Sequence, residues 1–523
     1  MTKSSSVIGA LDIGTNSFHL VIARATHSGF EVITREKEMV RLGEGSGDMK
    51  FLSPEAIERG INALRKMRQV VDTHGAELRA IATSAVREAT NADVFINRAL
   101  KEASIVVEVI SGVEEARLIH LGVMQAIPLM DKRSIIIDIG GGSTEVVIAN
   151  GLTQHFVRSF KLGAIRLTSR FFSSLSLHPS ATSACRKFLH STLSPSSKEI
   201  VGLAPQIAVV SSGTAEALAN MVRIMRGDSE SKPDPKSLNG FEFTAKELKI
   251  AVDLLVQSPT VQTRRQLRGV DASRADIILA GALILETITH EFKLEKLVFS
   301  DFALREGIIL DTLQRTEHSD HQHLRQVSLN SVMTLVERCD DDVEHSKNVA
   351  RLALELYDSL EQEYKFSPEW RVLLEAAALL SNVGLIISHS KHHLHSYYVI
   401  RNSDLVGFTD HEIELIALIA RYHRKSHPKP AHNEFARLLE TEQQLIRFLA
   451  GILRIAIGLD RSHDGRVTHL EVEIQKSFVD ITISTLLPQA DALEMNIYAA
   501  RERQQLLEEA LGVPIMFIDG QDN

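Results

Sequence analysis

Through the first half of the chain, apolar residues come in short, β-branched runs cut by glycine and polar turns. Such runs predict strands rather than helices. Residues 78–84 and 106–111 read as buried strands, and 206–214 as a strand followed by small residues. Residues 54–73 predict a helix, with Ser53 as N-cap and Pro54 in the first turn. Residues 227–239, rich in Ser, Pro, Asp and Lys, predict an exposed loop. The pattern changes near residue 313. Between 369 and 383, Leu373, Ala376, Ala377 and Leu380 fall at helical spacing, and helical patterning persists to about 435. The last segment mixes strand-like runs at 470–474 and 479–483 with a helix from about 490 to 511.

One pattern occurs twice. Leu11-Asp-Ile-Gly-Thr-Asn-Ser-Phe-His-Leu-Val-Ile-Ala23 aligns without gaps on Ile137-Asp-Ile-Gly-Gly-Gly-Ser-Thr-Glu-Val-Val-Ile-Ala149, with seven of thirteen positions identical. Each copy reads as strand, tight glycine turn, strand. Duplication of this unit predicts two related α/β lobes facing each other. The expected domains are two lobes at 7–133 and 134–312, a helical domain at 313–435 and a small α+β domain at 436–523.

Composition narrows the class. A chain of 523 residues with 44% hydrophobic and 24% charged residues fits a multidomain soluble protein. Its net charge of −9 disfavours a nucleic-acid binder, although local basic clusters can still serve a polyanion. Two distant cysteines, Cys185 and Cys339, predict no disulfide framework and fit a reducing compartment. The start of the chain has no apolar signal core, and the longest apolar stretch, 277–285, is too short to span a bilayer. The expected location is cytoplasmic, free or peripheral at the inner face of the membrane.

The glycine turns carry the first candidate chemistry. Gly14, Thr15, Asn16 and Ser17, and likewise Gly140, Gly141, Gly142, Ser143 and Thr144, offer bare backbone N–H groups and short hydroxyls suited to phosphate oxygens. Ser212, Gly213 and Thr214 form a third such loop. Asp12 and Asp138, each just ahead of a turn, are the natural handles for Mg2+, which needs only one or two carboxylates. Capping of their own turns is the competing reading. Glu114 and Glu115 fall in the first turn of a helix expected near Val113, where acids also suit the helix dipole. Either is a candidate general base, as is Glu145. Arg87, after a strand end, can clamp a phosphate. Arg305 reads equally as a structural ion-pair partner.

Asp-Ile-Gly-Thr-Asn-Ser, Ser-Gly-Val-Glu-Glu-Ala-Arg, Asp-Ile-Gly-Gly-Gly-Ser-Thr-Glu, Ser-Ser-Gly-Thr and Leu-Arg-Glu-Gly occur here in an order that resembles the exopolyphosphatase and guanosine pentaphosphate phosphohydrolase family. The resemblance implies two actin-like (ribonuclease H-like) lobes with the site in their cleft. It implies Mg2+-dependent removal of terminal phosphate from linear polyphosphate, or of the 5′ γ-phosphate from guanosine pentaphosphate. It makes Glu115 the catalytic base, Glu145 its partner in positioning water and Asp138 the residue tied to the metal. A homodimer is expected.

The resemblance extends to a helical HD-like domain. An active HD site has a His-Asp pair where this chain has Ser381-Asn382, poor transition-metal ligands, so the domain is expected to be catalytically silent. Its basic residues, among them Lys391, His393, Arg421, Arg424 and Lys425, are then candidates for a polymer channel, against the plainer reading of a solvated basic face. Rival readings are a sugar or acetate kinase, with residues 280–282 as an adenosine-pocket remnant, and a non-catalytic sensor.

Overall fold

A computed structural model of the chain describes residues 7–26, 29–44, 49–129, 132–174, 176–227, 238–316, 321–364, 368–403, 405, 407–475, 477–485 and 490–520. The N-terminal segment and most of the loop expected at 227–239 lie outside the described residues. The chain divides into two compact units, Met1–His321 and Gln322–Asn523.

The first unit holds two sheets. Strands β1 (Val7–Ile13), β2 (Ser17–Thr26), β3 (Gly29–Met39), β4 (Glu77–Ala82) and β5 (Val107–Val109) order as β3-β2-β1-β4-β5. Strands β6 (Arg133–Ile139), β7 (Thr144–Asn150), β8 (Thr153–Phe160), β9 (Ile207–Ser211), β10 (Glu242–Thr244) and β11 (Lys296–Phe299) order as β10-β11-β9-β6-β7-β8. In each, three strands form an antiparallel meander and the next two run parallel from its first strand. The sequence repeat is thus a repeat of topology, with β10 added at one edge. The expected helix is Pro54–His74, with Ser53 Oγ accepting from the Ala56 N–H at 3.1 Å and Gly75, at φ 58°, ending it in the left-handed region.

The two lobes share a core as well as owning one each. Ile8, Ala10 and Val21 from the first sheet and Ile136, Val147 and Val209 from the second pack with Ile119, Ile308 and Ile309. These last come from the helices Gly112–Ala126 and Leu304–Thr316, which cross closely. A Cβ on Gly307 would stand 1.8 Å from the Leu118 carbonyl oxygen, and one on Gly122 would stand 2.0 Å from that of Ala303. A buried ion network pins the crossing. Asp311 accepts from Arg79 at 2.5 Å, Arg117 at 2.6 Å and Arg315 at 3.0 Å. Burial alone would raise the Asp311 pKa, but the three guanidiniums hold it far below the usual range.

The second unit differs from expectation. The helices Val343–Tyr364, Pro368–Leu379, Asp410–Arg421 and Glu440–Leu459 and the sheet β12 (Val467–Ile474), β13 (Val479–Thr485), β14 (Ile515–Asp519) enclose one core, running from Val332 to Phe517. No division falls at 435/436. The reason is the Glu440–Leu459 helix, apolar on nearly every face, which packs against Val343–Tyr364 on one side and against Ala490–Arg501 and Gln505–Leu511 on the other. The helix expected at 490–511 is these last two, broken at 502–504. Among the described residues, no helix is long and apolar enough to cross a membrane.

Candidate active site

Both glycine turns present N–H groups and tie back their carbonyls. Asn16 O accepts from the Val40 and Arg41 N–H groups, and Thr15 O from Gly43. In the second turn Gly140 O accepts from Ala164, Gly141 O from Ile165 and Arg166, and Gly142 O from Arg166 Nε at 2.8 Å. Among the described residues, the N–H groups of Thr15, Asn16, Gly141, Gly142 and Ser143 have no acceptor. Such a nest suits an oxyanion. The turns also meet: a Cβ on Gly142 would stand 2.5 Å from Ser84 Oγ and 3.0 Å from Thr15 Oγ1.

Four carboxylates surround this point. Asp138 and Glu145 are register partners on β6 and β7, and Glu145 faces Ser159 on β8. Ser211 Oγ donates to Asp138 Oδ1 at 2.5 Å, and Ser159 Oγ donates to Glu145 Oε1 at 2.7 Å. Glu145 Oε2 is buried with no hydrogen-bond partner among the described residues. Glu115 Oε2 accepts from Arg87 Nη1 at 2.9 Å. Burial raises all four pKa values. Asp12 is pushed up to about 7, with Arg305 opposing and Glu115 and Asp138 adding to the rise. Glu115 rises despite Arg87, and Glu145 rises well above its ordinary value chiefly through burial, with the nearby Glu115 adding to it. Asp138 rises less freely, since Ser211 and Arg305 favour its charge. Arg87 remains cationic because Glu115 and Glu145 outweigh its own burial.

Glu114 is otherwise engaged. It accepts Nε and Nη2 of Arg117 at 2.8 and 2.7 Å, inside the ion network of the crossing. The two glutamates thus differ in their partners, Glu114 being tied to Arg117 and Glu115 to Arg87 beside the second glycine turn's carboxylate Glu145.

Other expected site residues are placed as follows. Asn16 is buried with Nδ2 unpartnered among the described residues, and Ser17 Oγ meets His19 Nε2 at 2.7 Å. Arg305 donates to His19 Nδ1 at 3.3 Å, so the His19 proton sits on Nε2 and goes to Ser17. Burial and Arg305 accordingly keep His19 neutral. The Thr144 hydroxyl is fully buried and donates to the Leu162 carbonyl, which takes it out of the nest. Ser212, Gly213 and Thr214 open the helix Ser212–Met225, but Thr214 packs on Gly281. That contact also accounts for residues 280–282, which sit fully buried in the helix Ile278–Glu291 instead of lining a pocket. Arg166, Ser159 and Arg274 belong to the site and were not expected from the sequence.

Among the described residues, no group of three or more His, Cys, Asp or Glu side chains is arranged to hold a metal ion. The carboxylates nevertheless fit Mg2+, which keeps most of its waters. Four acids with raised pKa values, Glu115 and Glu145 buried and Asp12 and Asp138 partly so, and an orphaned Glu145 oxygen are short of positive charge. Asp12 and Asp138 are the residues that would hold it.

In the second unit, Ser381 is buried and its carbonyl accepts from Ser396 Oγ, so Ser381-Asn382 takes a packing role. Of the expected channel residues, Lys391 and Lys425 are exposed and Arg421 pairs with Glu434 at 3.1 Å. Arg424 donates to His392 Nδ1 at 2.9 Å, so a neutral ring is its partner there. His393 is a correction: it is buried, and burial beside Arg424 lowers its pKa to about 4, so it carries no charge for an anion at neutral pH.

A model described as the Ppx/GppA phosphatase family matches residues 21–316, and one described as Ppx/GppA phosphatase, domain III, matches residues 325–502. Among solved structures, an exopolyphosphatase from Cytophaga hutchinsonii is 31% identical, with a TM-score of 0.56, covering 60% of this chain and 99% of its own. A Ppx/GppA family member from Aquifex aeolicus is 28% identical, with a TM-score of 0.51, covering 60% of this chain and 100% of its own.

Proposed function

This chain belongs to the Ppx/GppA phosphatase family, and on that premise we propose that it hydrolyses the terminal phosphate of linear inorganic polyphosphate. The observation that carries the reading is the pairing of two facing N–H nests with Glu115, a buried carboxylate of raised pKa held by Arg87. The terminal phosphoryl oxygens sit on the N–H groups of the two turns, with Arg87 offsetting their charge. Glu115, backed by Glu145, accepts the proton of the attacking water. The new P–O bond forms from water, the bridging P–O bond breaks, and the bridging oxygen leaves with its electron pair on the shortened chain. When Mg2+ is bound through Asp12 and Asp138, it supplies further positive charge to the phosphoryl oxygens.

A polymer is favoured over guanosine pentaphosphate by the basic residues of the second unit, where Lys391 and Lys425 are exposed and Arg424 abuts a neutral histidine. Phosphate release from long-chain polyphosphate, guanosine pentaphosphate and ATP, side by side with Mg2+, tests this. The highest kcat/KM is expected on polyphosphate. A higher value on guanosine pentaphosphate overturns the polymer reading, and turnover of none overturns the phosphohydrolase.

A further inference from the structure

Three successive carbonyls of the second glycine turn are tied back, and the ties differ in kind. Gly140 O and Gly141 O accept from backbone N–H groups at the start of the helix Ala164–Phe171. Gly142 O accepts from a side chain, Arg166 Nε at 2.8 Å. A peptide unit is planar and trans, so its carbonyl and the following N–H point in opposite directions. Holding Gly142 O therefore aims the Ser143 N–H, which has no acceptor among the described residues. Glycine's permissive backbone lets that peptide rotate once the tie is cut. Backbone contacts thus aim the Gly141 and Gly142 N–H groups, whereas the aim of the Ser143 N–H depends, among the described residues, on one guanidinium.

Arg166 is in turn held from the other lobe. Its Nη2 donates to Glu88 Oε1 at 2.8 Å, with the two side chains only 12% and 14% exposed. Ser84 Oγ donates to the same Glu88 oxygen at 3.1 Å, and Ser84 Oγ is the atom that a Cβ on Gly142 would strike. Lys161 Nζ stands 3.0 Å from Glu88 Oε2 but is 74% exposed, so it contributes little. Glu88 ends the short helix Ser84–Glu88, which also carries Arg87, the partner of Glu115. Five residues of the first lobe therefore hold both Glu115 and, through Arg166, the second turn. A carboxylate repels a phosphate, so Glu88 has no use as a substrate contact, and Arg166 spends Nε and Nη2 on protein acceptors.

We infer that Glu88 and Arg166 are positioning residues, whose ion pair between the lobes aims the Ser143 N–H at the transferred phosphoryl group and sets the second turn against the helix that holds Glu115. This rests on the phosphohydrolase reading of the cleft. Neither side chain takes part in the bond changes. Their effect on the reaction passes through the backbone of Gly142 and Ser143, and a donor aimed in advance needs no reorganisation as charge shifts on the phosphoryl oxygens.

Steady-state kinetics of the intact protein on tripolyphosphate with Mg2+ compare wild type, Glu88→Gln, Arg166→Gln, Arg166→Lys and the Glu88→Gln/Arg166→Gln double variant, with the melting temperature as the folding check. A misaimed donor predicts kcat about 10- to 100-fold lower in each single variant, with KM changed by less than about threefold. Because the pair acts as a unit, the double variant is expected within about threefold of the slower single variant. Arg166→Lys stays impaired, since one ammonium cannot span Glu88 and Gly142 O as the planar fork does. Hydrogen exchange at residues 140–144 of the metal-free protein is expected to quicken in every variant, which reads the turn without turnover. Losses that multiply in the double variant, a normal kcat in Glu88→Gln, recovery in Arg166→Lys, or unchanged exchange overturns the positioning pair. Quickened exchange beside a wild type that hydrolyses neither polyphosphate, guanosine pentaphosphate nor ATP overturns the phosphohydrolase instead.

Discussion

Glu114 accepts two N–H groups of Arg117, at 2.8 and 2.7 Å, while its chain neighbour Glu115 accepts from Arg87 at 2.9 Å. Adjacent identical side chains are thus divided between the ion network of the helix crossing and the candidate site. Glu115→Gln is expected to lower kcat by roughly 10²–10⁴ while substrate binding persists. Glu114→Ala is expected to leave kcat per folded molecule within about tenfold but to cost about 3–5 kcal/mol of stability, as when a buried ion pair loses one member. Denaturant unfolding alongside steady-state kinetics separates the two. A near-normal kcat in Glu115→Gln removes it as the base.

Asp138→Asn is expected to raise the Mg2+ concentration needed for half-maximal activity, since on the proposed reading Asp138 is one of the two carboxylates that would hold the hydrated ion. An unchanged Mg2+ titration curve rules that role out.

The Asp12 carboxyl titrates at about 7 in the folded protein against 3.8 ordinarily. Between those values the folded state holds the proton and the unfolded state does not. Stability therefore falls as pH rises through that window, and the loss is complete above the folded pKa. Melting temperatures of the metal-free protein are expected to drop across it, and Asp12→Asn to flatten the drop. Added Mg2+ should raise the melting temperature more at pH 8 than at pH 5, because the ion favours the ionised form. The same drop persisting in Asp12→Asn would assign it to another group.

Gly307→Ala places a methyl 1.8 Å from the Leu118 carbonyl oxygen. Overpacking of this kind typically costs about 1–3 kcal/mol. A lowered melting temperature is expected, and an unchanged one would mean the helices separate freely at that point.

Replacing Arg421, Arg424 and Lys425 together with alanine is expected to weaken long-chain polyphosphate binding more than that of tripolyphosphate. The loss should match what raised salt does to the wild type, because screening weakens attraction between cations and a polyanion. Equal affinity for long chains at low salt makes the cluster a solvated face.

What the sequence revealed was local. The Asp-Ile-Gly turns, the Ser53 cap and the Gly112–Ala126 helix are set by residues a few positions apart, and each was legible. What escaped needed register or distant approach. Ser159 meets Glu145 only once strand pairing is known. Arg274 reaches Gly213 from a separate turn, with no spacing to betray it. The second unit looked divisible because its helical and strand-rich stretches differ in pattern. Burial on nearly all faces of Glu440–Leu459 joins them.

The interlocked glycines of the Gly112–Ala126 and Leu304–Thr316 helices have a mechanical consequence. Glu115 rides on the first helix and Arg305 on the second. With backbone against backbone at the crossing there is no compressible side-chain layer to slip, so the pair behaves as one rigid piece. The spacing between the Glu115 carboxylate and the Arg305 guanidinium is thereby set by two helices that cannot slide on one another.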